Sequence, residues 1–274
     1  MSPCTIRILT PTALEPAPYT ADSLADALAH EPDGIYTIAS TFSRTKVLKL
    51  DAHLDRLADS AQRENIPLRL DRARLRAALR QMITESGYGD VRFRVTVPRA
   101  QPDQLLLSIE PFSPPAPALV AQGVRCAAAA GVARRNPAAK TSDWAHDRGR
   151  AALPPDVYEG LLLDADGALL EGFSSNFYAV LDGELRTAGA GVLPGVAQQI
   201  VFEVAPGVLP LRREAVRLAD VPRLAEAFLT SSSRGVIPIV AINGQPVGDG
   251  TPGPHTRAIH TRYDAWVAAH LEEL

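Results

Sequence analysis

Apolar positions change their period along the chain, and the changes mark its elements. IYTIAST (35–41) and RTKVLKL (44–50) are rich in β-branched and apolar residues with short polar punctuation between them, which predicts two strands joined as a hairpin. From Asp51 the period lengthens: Leu54, Leu57, Ala58 and Ala61 fall at i, i+3, i+4 and i+7, one face of a helix with Asp51 as its expected cap. A second helix is predicted over 71–86, ended by Gly87, and VRFRVTV (91–97) and QLLLSIEPF (104–112) return to strands. PFSPPAPA (111–118) holds four prolines, too many for a helix or a central strand, so the linker is expected there. The chain is therefore divided into a small N-terminal α/β domain over 1–112, a Pro-rich linker over 113–118 and a larger domain over 119–274.

The larger domain reads as strand-like segments, VRCAAAA, EGLLLDADGALLEG, SSNFYAVLDGELRT, EAFLTSSS and GVIPIVAINGQPV, broken by Asp-Gly and Asn-Gly turns. Helices are expected near 142–152, 195–205 and 254–272, the last with Ile259, Tyr263, Trp266, Val267 and Leu271 on one face. The fold class is α/β (α+β), two domains, the second of mixed β structure with helices. A length of 274 residues suits such a pair. The net charge of -3 removes the electrostatic support that nucleic-acid or membrane-surface binding would need. Two cysteines, Cys4 and Cys126, make neither a disulfide framework nor a thiolate cage, and the six histidines lack metal spacing; His53 and His146 read as surface or packing residues. No apolar run approaches a membrane span and MSPCTIRILTP lacks the features of a signal peptide, so a cytoplasmic location is expected.

Candidate chemistry begins with lysine. Of the 28 basic residues only Lys46, Lys49 and Lys140 are lysine, so a retained lysine invites a chemical role: an amine can lose its proton and form a Schiff base, a guanidinium cannot. In GVLPGVAQQIVFEVA (191–205), Pro194 and Gly195 precede an apolar-periodic run, which leaves the amides of Val196 and Ala197 at a helix N-terminus suited to an anion. TSSSR (230–234) adds a hydroxyl-rich loop of the kind that meets phosphate oxygens.

With KVLKLDAHLDRLADSA (46–61), AKTSDW (139–144), EGFSSNFYAVLDGELRT (171–187), AFLTSSSRGVIPIVAING (227–244) and GTPGPHTRAIHTRY (250–263), these blocks resemble, in order and spacing, the class IV (fold type IV) pyridoxal-phosphate aminotransferases, which include branched-chain and D-amino-acid aminotransferases and aminodeoxychorismate lyase. The resemblance runs from about Gly34 to Tyr263 and implies a cofactor, pyridoxal 5'-phosphate, in a cleft between two domains. It implies that Lys140 holds the cofactor as a Schiff base and shuttles the proton, that Glu171 pairs with the pyridine nitrogen, and that Arg56 binds the phosphate. Ser231 and Ser232 correspond to the phosphate hydroxyls, Val196 and Ala197 to the phosphate amides, and Leu193 to a leucine against the ring.

Four positions depart from the family pattern. Ala197 keeps its amide but lacks the hydroxyl of the usual threonine; Asp143 and Trp144 stand where asparagine and tyrosine are frequent; and Ser40 occupies a place where relatives carry a basic residue. For the substrate carboxylate the expected partner is Arg94, with Arg99 a second candidate and an exposed basic face of Arg92 and Arg94 the competing reading. Tyr36 and Ile38 are expected on the pocket wall. The expected activity is transfer of an amino group between an amino acid and a 2-oxo acid by a homodimer. Release of pyruvate and 4-aminobenzoate from aminodeoxychorismate is the alternative within the same family, and a non-catalytic cofactor-binding or interaction protein the alternative outside catalysis.

Overall fold

A computed structural model describes residues 4–274. Along the chain it forms β1 (Thr5–Leu9), β2 (Leu14–Pro16), α1 (Leu24–Ala27), β3 (Gly34–Phe42), β4 (Lys46–Leu48), α2 (Leu50–Arg63), α3 (Arg72–Ser86), β5 (Val91–Pro98) and β6 (Leu105–Pro111). There follow α4 (Pro117–Gln122), β7 (Val124–Ala129), α5 (Ser142–Arg150), β8 (Glu159–Leu163), β9 (Leu169–Gly172), β10 (Asn176–Leu181), β11 (Glu184–Arg186) and α6 (Val196–Val204). The chain ends with β12 (Leu211–Arg212), β13 (Glu226–Ser231), β14 (Gly235–Ile242), β15 (Gln245–Pro246), α7 (Pro254–Ala269) and β16 (Leu271–Glu273). Among the described residues no helix is long and apolar enough to cross a membrane.

Two units divide these elements. The first takes in the chain up to Ser113 together with Ala139–Arg150 and His270–Leu274. Its antiparallel sheet runs β16-β4-β3-β5-β6-β1-β2. Successive side chains alternate between faces. Ile35, Ala39, Phe93, Val95, Leu107 and Ile109 therefore share a core with Leu50, Leu54, Leu57, Leu75 and Leu79 of α2 and α3. Each fully buried leucine contributes on the order of 1.5 to 3 kcal/mol relative to exposure, so α2 is held mainly by its apolar stripe. The same parity puts Tyr36, Ile38 and Ser40 of β3 on the other face, beside Thr96, Arg94 and Arg92 of β5. Parity thus sends Tyr36, Ile38 and Ser40 to one face of the sheet and Thr37 to the face that meets α2.

The second unit comprises Pro114–Ala138 and Ala151–Ala269. Its mixed sheet runs β12-β11-β10-β13-β14-β7-β8-β9, with β15 on β14. A further pairing, Asn176 opposite Glu171, joins β9 to β10 and so closes β10, β13, β14, β7, β8 and β9 into a ring. The carboxylate singled out in the sequence lies at that seam. Phe177, Ala179, Leu229, Ile237 and Ile239 form part of the core of this unit.

Several boundaries differ from the sequence expectation, most of them through a pairing between residues distant in the chain. Residues 139–150, expected in the larger domain, join the first unit: Thr141 bridges to Ile35, Tyr36 N donates to Lys140 O at 3.0 Å, and Gly34 N donates to Ser142 Oγ at 2.8 Å. The last helix stops at Ala269 rather than 272, because Leu271–Glu273 pair with β4, and Leu271 leaves the expected helical face. The proline segment is not wholly a linker, since Pro117 starts α4 at a position where a missing N–H costs nothing. Helix α2 begins at Leu50, ahead of Asp51, with Lys49 at its N-cap in the left-handed region at φ 47°. The cap comes from afar: Leu50 N donates to Glu272 Oε1 at 3.0 Å, while Asp51 pairs with Arg72 at 3.1 Å and Arg76 at 3.2 Å.

Candidate active site

In the first unit Arg56 and the backbone of Lys140 meet at Ser60 of α2, and Tyr36 of β3 lies beside the Lys140 side chain. Arg56 and His53 lie three apart on that helix and so on one face of it, and both are buried. Arg56 Nη2 donates to Thr37 Oγ1 at 3.4 Å and reaches His53 Nδ1 at 3.5 Å, and Thr37 Oγ1 lies 3.0 Å from the same imidazole nitrogen. Burial, and after it the charges of Arg56 and Lys140, hold the His53 pKa well below the usual histidine value, so this imidazole is neutral. Ser60, one turn on from Arg56, joins the cation to the lysine segment: its Oγ donates to Arg56 O at 2.8 Å and accepts from Lys140 N at 3.1 Å. Lys140 Nζ sits 4.7 Å from the Tyr36 ring centre, and Arg94 Cζ lies 5.0 Å from that centre.

Arg94 is buried, at 4% exposure, which removes the exposed basic face as its explanation. Its Nη1 lies 3.3 Å from Glu31 Oε2, an oxygen that also accepts from Thr96 Oγ1 at 2.7 Å. Arg92 pairs instead with Glu110. Arg99 does not join this group: Asp33 at 2.8 Å, Glu64 at 3.0 Å and the Glu64 carbonyl at 2.8 Å take its donors, and the two carboxylates raise its pKa. Tyr36 and Ser40 are buried and Ile38 is half-buried on the Arg94 face; Ser40 Oγ is buried with no hydrogen-bond partner among the described residues. Trp144, in place of the expected tyrosine, is buried, and its amide donates to Asp143 Oδ1 at 2.6 Å.

In the second unit Glu171 is held from both sides. Arg134 Nη1 donates to Oε1 at 2.8 Å and Leu193 N donates to Oε2 at 3.1 Å, with the Arg134 and Glu171 side chains 5% and 3% exposed. Asn176, opposite Glu171 across the seam, donates from Nδ2 to Leu193 O at 2.9 Å and thereby fixes the LPG turn. Gly195 is required there, because a Cβ would collide with Asn176 Oδ1. From this turn α6 starts at Val196 with no side chain capping it, so its first amides, those of Val196 and Ala197 among them, face out at the positive end of the helix. Ser231 and Ser232, half-buried, lie where β13 turns into β14, and Arg234 Nε donates to Ser231 Oγ at 2.9 Å.

Residues 34–242 match the model of the family described as Amino-transferase class IV. The chain belongs to that family. A D-alanine aminotransferase of Bacillus licheniformis is 31% identical over 113 residues, 40% of this chain and 40% of that protein. A branched-chain-amino-acid aminotransferase-like protein of Arabidopsis thaliana is 24% identical over 265 residues, 88% of this chain and 47% of that one. The chain thus matches less than half the length of each of these curated relatives. The branched-chain aminotransferase of Thermoproteus uzoniensis, solved with norvaline, superposes at a TM-score of 0.79 with 19% identity, covering 98% of this chain and 99% of that one, and shares the fold.

Within this class IV family member, sequence reasoning missed most partners of the named residues. His53 is no surface residue; its place three before Arg56 on a helical face was the available signal. Thr37 and Ser60 could have been found by the same parity and periodicity. Arg134, Glu31, Glu159 and Arg234 carried none, because their contacts join segments whose approach only the fold creates.

Proposed function

We propose that the chain is a pyridoxal-phosphate-dependent aminotransferase acting on an amino acid and a 2-oxo acid through Lys140. The observation that carries the reading is the first-unit cluster, in which the lysine, the arginine expected at the phosphate, and a neutral histidine are bound into one group through Ser60 and Thr37. These groups suit the cofactor: an uncapped helix start and hydroxyls favour a phosphate ester, and a buried carboxylate favours a protonated ring nitrogen. When bound, pyridoxal phosphate supplies an electron sink for charge developing at the amino acid's Cα.

The remaining roles belong to the protein. Lys140 Nζ makes the covalent link and, once released from it, moves the Cα proton as a base of adjustable pKa. Arg56, with Val196, Ala197, Ser231 and Ser232, anchors the phosphate, and Leu193 packs on the ring. Glu171, oriented by Arg134 and Leu193 N, is the residue that would pair with the ring nitrogen. Arg94 reads the substrate carboxylate, with Tyr36, Ile38 and Ser40 beside it. By family likeness the working form is a homodimer.

Borohydride treatment of the loaded protein followed by peptide mass analysis tests the central assignment. The pyridoxyl group is expected on Lys140, and Lys140→Arg is expected to lose roughly 10³-fold or more in turnover, because a guanidinium supplies neither the link nor the proton transfer. Label on Lys46 or Lys49, or a fully active arginine variant, would overturn it.

A further inference from the structure

We propose that Arg234 acts on the phosphate seat through Ser231, turning that hydroxyl into a fixed donor toward the anion; the proposal rests on the phosphate role given to Ser231 above. A serine hydroxyl has one hydrogen and two lone pairs. Arg234 Nε donates into one lone pair at 2.9 Å, so the Ser231 hydrogen is directed elsewhere. Among the described residues it has no acceptor, which is the state a phosphate-binding hydroxyl requires.

What makes Arg234 able to do this is that its whole fork is committed. Guanidinium carries five N–H donors in one plane. Beyond Ser231, Nη1 donates to Glu159 Oε2 at 3.1 Å and Tyr158 OH at 3.3 Å, and Nη2 to Ser174 Oγ at 2.8 Å and Ser174 O at 3.1 Å. Glu159 is itself fixed by Ser174 Oγ at 2.8 Å and Ser175 Oγ at 3.1 Å. Gly172, immediately after Glu171, allows this approach, since a Cβ there would strike Ser175 Oγ. Arg234 therefore ties the Ser231 turn to the loop that follows the ring carboxylate, and the direction of the Ser231 hydroxyl inherits the rigidity of an ion pair with the buried Glu159. An ammonium at this position would keep the charge but could not span Ser231, Glu159 and Ser174 at once.

The test titrates the cofactor-free chain with pyridoxal phosphate, with pyridoxal and with inorganic phosphate, for the parent, Arg234→Lys, Ser231→Ala and the double variant. Arg234→Lys is expected to weaken pyridoxal phosphate and inorganic phosphate about tenfold and to leave pyridoxal unchanged, and to cost less than about twofold once Ser231 is alanine. The phosphorus-31 resonance of the bound ester should move alike in Arg234→Lys and Ser231→Ala. Equal losses for pyridoxal and its phosphate, or the same loss in both Ser231 backgrounds, would overturn the relay while leaving the phosphate seat standing. Parent affinity in Ser231→Ala would overturn the seat reading itself. If the lysine variant does not fold, Ser231→Thr and Ser231→Ala in the intact chain carry the test: threonine should keep parent affinity and the parent resonance, and failure of the hydroxyl to rescue either would sink the proposal.

Discussion

Charge is held differently at the two ends of the proposed chemistry. Around α2 in the first unit, Arg56 and Lys140 lie against a threonine hydroxyl, an aromatic face and an imidazole, and the pKa of that imidazole is depressed by burial first and then by these two charges. In the second unit the Arg134 side chain, 5% exposed, meets Glu171 at 2.8 Å, and the half-buried Arg234 meets the buried Glu159 at 3.1 Å. Hydroxyl, aromatic and imidazole contacts leave a cation's charge to be felt by an anion, whereas a closed ion pair gives direction and rigidity without net attraction. The comparison assigns attraction to the first unit and orientation to the second.

Breaking a closed pair should have the largest effect on stability. Arg234 is half-buried, and although burial lowers its pKa, Glu159 and Tyr158 together more than restore it. Glu159→Ala leaves that guanidinium without its carboxylate, and the expected loss is about 3 to 5 kcal/mol of unfolding free energy. Arg223 and Asp182, a pair at 3.0 Å with both side chains 60% exposed, provide the control: Asp182→Ala should cost below about 1 kcal/mol. Denaturant melts of the two variants check this, and similar midpoints would mean that the Arg234 fork contributes no more than a surface pair.

The same contrast explains what could be read from the sequence. HLDRL displays Arg56 and Leu57 on a helix whose period is visible, and IYTIAS displays Tyr36, Ile38 and Ser40 at strand parity, so much of the first-unit site was legible. Lys140 was legible as chemistry but not as place, because its position beside β3 comes from a backbone bond to Tyr36 across more than a hundred residues. In the second unit Glu171 and the LPG turn were named, yet Arg134, Glu159 and Arg234 were silent: an arginine is common in this chain, and nothing local separates a buried fork from a solvated one. The closing pair of Glu171 with Asn176 was equally hidden, since ring closure is set by register rather than by composition.

Removing attraction should weaken binding more than folding. Arg56→Ala deletes the buried guanidinium from α2 and is expected to lower pyridoxal phosphate affinity by about 1.5 to 3 kcal/mol for each charge-assisted bond lost, roughly 10- to 100-fold for one. Pyridoxal without its phosphate should bind the variant nearly as well as it binds the parent. Titration of the cofactor-free protein with both compounds measures the difference, and an unchanged phosphate preference would place the attraction elsewhere.

The smallest effect separates the two units by pH. His53 is fully buried and neutral, its pKa held below the ordinary value of 6.5 by burial first and then by Arg56 and Lys140. In the unfolded chain the same imidazole takes up a proton as pH falls through about 6.5, and in the folded chain it does not until well below that. The unfolded state therefore binds more protons, and the folded state loses stability on acidification, by on the order of 1.4 kcal/mol for each pH unit below the histidine range until the folded pKa is reached. Above about pH 7 the term vanishes, because both states are neutral. His53→Gln can offer Thr37 a similar partner but has no proton to gain, so its unfolding free energy should fall less steeply than the parent's between about pH 6.5 and 5. A phosphate at Arg56 should oppose the positive potential on His53, so inorganic phosphate should flatten the parent's slope over the same window and leave that of the glutamine variant unchanged. Parallel stability profiles for parent and variant would show that the positive region around α2 exerts no pull on His53, and would remove the distinction drawn between the two units.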